Sequence, residues 1–124
     1  MNTNIEITDK IIIEPKLELP TRDTGATVEF RGIVRETEDE NCIQGLDYEA
    51  YKDMAIAKMT TILSDLLVKH DCLTGVVIHR VGFIPVGESA LYMRITSSHR
   101  KEAFSCCSEF IDELKKDVPI WKAN

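Results

Sequence analysis

Ser98-His99-Arg100-Lys101 stands where the sequence predicts the start of a helix, Lys115 and Lys116 stand near that helix's far end, and Pro119-Ile120-Trp121-Lys122 follows. Cations at a helix start are misplaced. The first turn offers unpaired N–H groups and the positive end of the macrodipole, so each cation there is unfavourable by roughly 0.3–1 kcal/mol unless something negative is bound. His99 and Arg100 therefore mark an anion site built on a helix terminus. Lys115 and Lys116 have a simpler reading, since lysines in a last turn complement the dipole.

Charge and composition limit what that anion can be. The chain has 124 residues, 44% of them hydrophobic, and a formal net charge of −6. Nucleic-acid binding rests on broad basic surfaces that neutralise phosphates, and an acidic chain lacks them; the anion should be small and enclosed. The apolar runs Ile11-Ile12-Ile13 and Val76-Val77-Ile78 are far shorter than the roughly 18 residues of a membrane span. Met1-Asn2-Thr3-Asn4-Ile5-Glu6 does not read as a signal peptide, so a cytoplasmic protein without a membrane partner is expected. Cys42, Cys72, Cys106 and Cys107 show no CxxC spacing, a reduced-compartment pattern. His70-Asp71-Cys72 falls short of a zinc set, so neither metal nor cofactor is expected. The acids Glu36, Glu38, Asp39 and Glu40 read as a solvated loop over residues 36–41.

The elements that would position these groups follow from periodicity. Ile5 and Ile7 alternate with polar residues, and Lys10-Ile11-Ile12-Ile13 follows; both suit short strands. Residues 25–35 place Ala26, Val28 and Phe30 on one strand face, with Gly32 as a bulge or close approach. Residues 43–51 alternate again. From Lys52 the period becomes helical, with Ala55, Met59, Ile62, Leu63, Leu66 and Leu67 forming the apolar face of a helix over 52–70, and Met54 and Met59 reading as core filler. Residues 76–81 and 90–95 read as strands separated by a turn at Pro85-Val86-Gly87-Glu88. The second helix starts after Ser98 as N-cap, buries Ala103, Phe104, Cys107, Phe110, Ile111 and Leu114, and stops before Pro119. Strands, helix, strands, helix make one α+β domain over residues 1–124. There is no GxGxxG, no phosphate loop and no dispersed Ser-His-Asp set.

Five blocks in order resemble the large, catalytic subunit of molybdopterin synthase, the MoaE family: Gly25-Ala26 to Phe30-Arg31-Gly32-Ile33-Val34-Arg35; Leu46-Asp47-Tyr48-Glu49-Ala50-Tyr51-Lys52-Asp53-Met54-Ala55; His79-Arg80-Val81-Gly82 with Val86-Gly87-Glu88; Ser98-His99-Arg100 with Ala103-Phe104; and Leu114-Lys115 with Pro119-Ile120-Trp121-Lys122. The resemblance implies an α/β hammerhead-type fold with a mixed or antiparallel sheet and two main helices. It implies sulfur transfer from the Gly-Gly thiocarboxylate of a small β-grasp sulfur-carrier subunit to cyclic pyranopterin monophosphate, forming the molybdopterin dithiolene. It also implies a central homodimer of large subunits within a heterotetramer.

Carried over residue by residue, the resemblance makes Lys115 and Lys122 the catalytic lysines. Arg35, His99 and Arg100 become clamps for the substrate's phosphate, with Ile33 and Val34 beside Arg35. The plainer readings are that Arg35 is a strand-end cation pairing with Glu36 or Glu38, that Trp121 anchors the tail, and that His79-Arg80 and Cys106-Cys107 are structural. The alternative function is a non-catalytic relative that keeps the anion site and the partner-docking surface.

Overall fold

A computed structural model describes residues 2–123. Its main sheet has the order β1-β6-β8-β2, from β1 (Thr3–Thr8), β6 (Cys72–Arg80), β8 (Ser89–Ser97) and β2 (Ala26–Ile33). β1 runs parallel to β6, and the other pairings are antiparallel. A second sheet, β7-β5-β9, joins β7 (Gly82–Pro85), β5 (Gly45–Ala50) and β9 (Ile120–Lys122). A hairpin of β3 (Thr37–Glu38) and β4 (Asn41–Cys42) stands beside it. The architecture is the mixed α+β arrangement expected.

Both helices, α1 (Lys52–Lys69) and α2 (Arg100–Asp117), pack on one face of the main sheet and on each other. Their apolar stripes explain this. Ala55, Met59, Leu63, Leu66 and Leu67 of α1 meet Ala103, Cys106, Cys107, Phe110 and Leu114 of α2 over Val77, Met93 and Ile95 of the strands, in one continuous core. Gly75 belongs to that face because a Cβ there would lie 2.8 Å from a methyl of Leu63. The opposite face carries charge: Tyr92 donates to Glu29, Arg31 and Arg94 lie 5.3 and 5.6 Å from the Tyr92 ring centroid, and Arg31 reaches Glu14 at 2.5 Å. Arg94 also donates to the carbonyl of Pro15, tying the irregular segment after β1 across this face.

Several expectations need correction. Lys10-Ile11-Ile12-Ile13 forms no strand; Ile11 and Ile13 are exposed. Met54 and Phe104 are also exposed, whereas Met59 is fully buried. Met54 lies in the first turn of α1 and Phe104 one position past the buried Ala103, where a 100° step turns a side chain off the core stripe. The residue preceding α2 is His99 rather than Ser98, with extended dihedrals and no side-chain cap. β8 continues to Ser97, whose hydroxyl donates to the His99 carbonyl, so only two residues link strand to helix.

That short link depends on Gly25. Its N–H donates to the Ser97 carbonyl at 3.0 Å, and a Cβ on it would sit 2.2 Å from the Ser98 carbonyl oxygen. Main chain cannot rotate away as a side-chain tip can, so Gly25→Ala should destabilise the fold by about 1–3 kcal/mol. Urea unfolding checks this; an unchanged midpoint would show that β2 and the approach to α2 separate freely.

Candidate functional site

Where the end of the main sheet meets the second sheet, a cleft of about 480 Å³ opens. Each wall follows from the topology. The helix-facing positions Phe30, Gly32, His79 and Leu91 lie at the ends of β2, β6 and β8 and make its floor. The last turn of α2 brings in Leu114 and Lys115, the second sheet supplies Leu46, Tyr48, Trp121 and Lys122, and Ile33, Val34, Arg35, Thr37 and Glu38 close the side. The Gly32/Ile33 register shift bends the chain out of β2 here, fulfilling the bulge expected from Gly32. Gly87 N–H then donates to the Val34 carbonyl at 2.8 Å, and Val34 N–H to the Glu88 carbonyl at 3.0 Å, fixing the stretch that carries Arg35.

Five of the seven residues singled out from the sequence line this cleft: Ile33, Val34, Arg35, Lys115 and Lys122. They converge although the chain separates Arg35 from Lys115 by 80 positions. Lys115 is exposed to solvent in the single chain. Lys122 is held by its strand: β9 pairs with β5, placing Lys122 opposite Tyr48, and Ala123 N–H donates to the Asp47 carbonyl at 2.7 Å.

His99 and Arg100 are not part of the cleft lining. Both are exposed at the opposite end of α2, fifteen residues from Lys115, which is about 22 Å along the axis. A pocket shared by Arg35 and Arg100 within one chain is therefore absent among the described residues. The helix start itself keeps the feature on which the expected anion site rested, since no side chain caps its first N–H groups.

Three cleft residues escaped the reading of the sequence. His79 is buried as expected of a structural histidine, yet it also faces the cleft. Its Nδ1 is 2.8 Å from the Arg80 carbonyl, which makes Nδ1 the donor and leaves Nε2 an acceptor. Burial pushes its imidazole below the ordinary histidine value, so it is uncharged at neutral pH. Tyr48 packs edge-on to that ring at 5.2 Å, and burial raises its phenol. Glu38 belongs to the β3-β4 hairpin, not to a solvated loop; it accepts a hydrogen bond from Lys122 at 2.6 Å. That bond holds the Glu38 carboxyl below, and the Lys122 ammonium above, their ordinary values. Trp121 packs against Tyr51, with ring centroids 5.1 Å apart and planes tilted by 58°, fulfilling the anchoring role while also lining the cleft.

Residues 5–117 match the family described as MoaE protein. The chain belongs to the MoaE family. A molybdopterin synthase catalytic subunit from Thermoplasma volcanium is 38% identical to it over 98% of this chain and 90% of that protein. Among solved structures, molybdopterin synthase from Staphylococcus aureus superposes with a TM-score of 0.78 at 32% identity, covering 90% of this chain and 86% of that one. A complex of subunits 1 and 2 of molybdopterin-converting factor from Helicobacter pylori matches with a TM-score of 0.64 at 25% identity, over 98% of this chain and 83% of that one. The MoaE cleft thus combines apolar walls with the cations Arg35, Lys115 and Lys122 at its rim. Among the described residues, no three His, Cys, Asp or Glu side chains are grouped to hold a metal ion, and no helix is long and apolar enough to cross a membrane.

Proposed function

We propose that this chain, as the catalytic subunit of a molybdopterin synthase, transfers sulfur from the C-terminal thiocarboxylate of a small carrier subunit to cyclic pyranopterin monophosphate. The observation that carries this reading is the convergence of Arg35, Lys115 and Lys122 on one apolar-walled cleft in a MoaE fold. Arg35 suits bidentate contact with phosphate, and Lys122 adds a second cation. Lys115 is the group that moves protons and stabilises the negative charge that develops as sulfur is delivered and the phosphate ring opens. Its exposure supports a site completed by an arriving partner: an extended Gly-Gly tail, free of side chains, would fill the cleft and withdraw Lys115 from water.

His99 and Arg100 cannot reach that cleft in their own chain. For both to clamp the same phosphate as Arg35, they must come from a second copy, whose α2 start meets the first copy's cleft across a two-fold axis. A dimer of the usual size, burying more than about 1,000 Å², accommodates this. Phe30 and Ile33, which line the cleft and are exposed in the single chain, are apolar surface such a contact would cover. The enzyme is then a cytoplasmic sulfurtransferase, dimeric within a heterotetramer.

Mixing the purified chain with thiocarboxylated small subunit and the cyclic pterin tests this reading directly. Formation of the dithiolene is expected. Binding of both ligands with no product would establish the non-catalytic alternative, and failure to bind either would remove the function altogether.

A further inference from the structure

Glu38 occupies an unusual place for an acid in a cleft that is to receive anions. Its carboxylate accepts from Lys122 at 2.6 Å and also feels the charge of Arg35, so it lies among the cations assigned to the substrate. Its anchorage differs from that of its partner. Lys122 is fixed by β9-β5 pairing, whereas Glu38 stands on a hairpin whose strands are two residues each and whose turn, Asp39 and Glu40, holds non-glycine residues at φ 49° and 70°. Left-handed dihedrals are sparsely populated outside glycine, Asn and Asp, so Glu40, though not Asp39, makes the turn a poor brace. The hairpin's base is joined by the Ile43 N–H to the Glu36 carbonyl at 2.8 Å. When Lys122 changes partner, the carboxylate is the side that leaves.

We propose that Glu38 is an internal stand-in for the ligand's anionic group, neutralising Lys122 in the empty cleft and being displaced when that group arrives. The inference rests on the cleft being an anion site as read above. The displacing chemistry is a small anionic group, supplied either by the phosphate of the pterin or by the terminal thiocarboxylate of the carrier's tail. Lys122 also faces Tyr48 and Asp39, but Glu38 alone among these accepts a hydrogen bond from it, at 2.6 Å. Because the pair is half-exposed, its competition with an incoming anion is modest, and the cleft trades a few-fold in affinity for an occupied, ordered Lys122.

Removing the competitor should tighten binding. Glu38→Gln and Glu38→Ala are each expected to lower the dissociation constant for inorganic phosphate, read by titration calorimetry, by about two- to fivefold. Glu36→Gln makes the same charge change two residues away, outside the ion pair, and should leave phosphate affinity within error of the parent. Two steady-state arms locate the source: a lower KM for the pterin identifies its phosphate as the displacing group, and a lower KM for the carrier identifies the tail. Unchanged or weaker phosphate binding in both Glu38 variants overturns the proposal, as does an equal gain in Glu36→Gln, which would reflect net charge alone. A parent and Glu38 variants that all fail to bind phosphate and pterin instead remove the anion-site reading itself.

Discussion

Lys115→Ala should lower dithiolene formation by about 10²- to 10⁴-fold, the range typical of losing a positioned proton-transfer group, while leaving the thermal midpoint nearly unmoved. The second half of that expectation comes from the structure. Lys115 is exposed, and the α2 residues of the shared core are Ala103, Cys106, Cys107, Phe110 and Leu114. Only the favourable last-turn position is lost, about 0.3–1 kcal/mol. Lys115→Arg separates charge from proton transfer: arginine keeps the cation but does not give up its proton at any working pH. A recovery of most activity by Arg would mean that Lys115 serves as a fixed charge, and parental turnover in Lys115→Ala would withdraw its catalytic role. Loss of fold in Lys115→Ala would do so as well.

The family resemblance, rather than any local rule, singled out Arg35, Lys115 and Lys122, and the local pattern explains only where the fold places them. Gly32 interrupts a clean alternation, and the strand does bend at that position, turning Arg35 toward the second sheet. The α2 stripe ends at Leu114, so Lys115 had to lie at the boundary between core and solvent. Glu38 was hidden from the local pattern. A run of four acids among residues 36–40 looks like solvated loop, and nothing local distinguishes the one carboxylate that meets Lys122 from 84 positions away. His79 posed a different difficulty. It is buried and main-chain-bonded like a structural histidine, and only the junction of two sheets, a non-local feature, gives it an open side. Phe104 misled because a helical stripe wide enough to include it exceeds the surface that the strands and α1 present; the helix turns it to solvent.

His99 and Arg100 mark the limit of reading a single chain, and their separation from Lys115 leads to the other large effect. Arg100→Glu should reduce turnover at least as strongly as it weakens pterin binding, since charge reversal replaces a phosphate contact with repulsion. Lys115→Ala and Arg100→Glu should each be nearly inactive alone. Mixed under conditions that exchange subunits, they should regain about a quarter of the parent's activity: half of the dimers become mixed, and in each of those one cleft holds an intact Lys115 with an intact Arg100 from across the axis. The recovery distinguishes the assemblies sharply. If both residues acted within one chain, every chain in the mixture would still lack one of them, and no activity would return. Native mass spectrometry of differently tagged variants establishes that exchange has occurred; exchanged dimers that stay inactive would rule out the shared cleft and leave the uncapped start of α2 to some other anion.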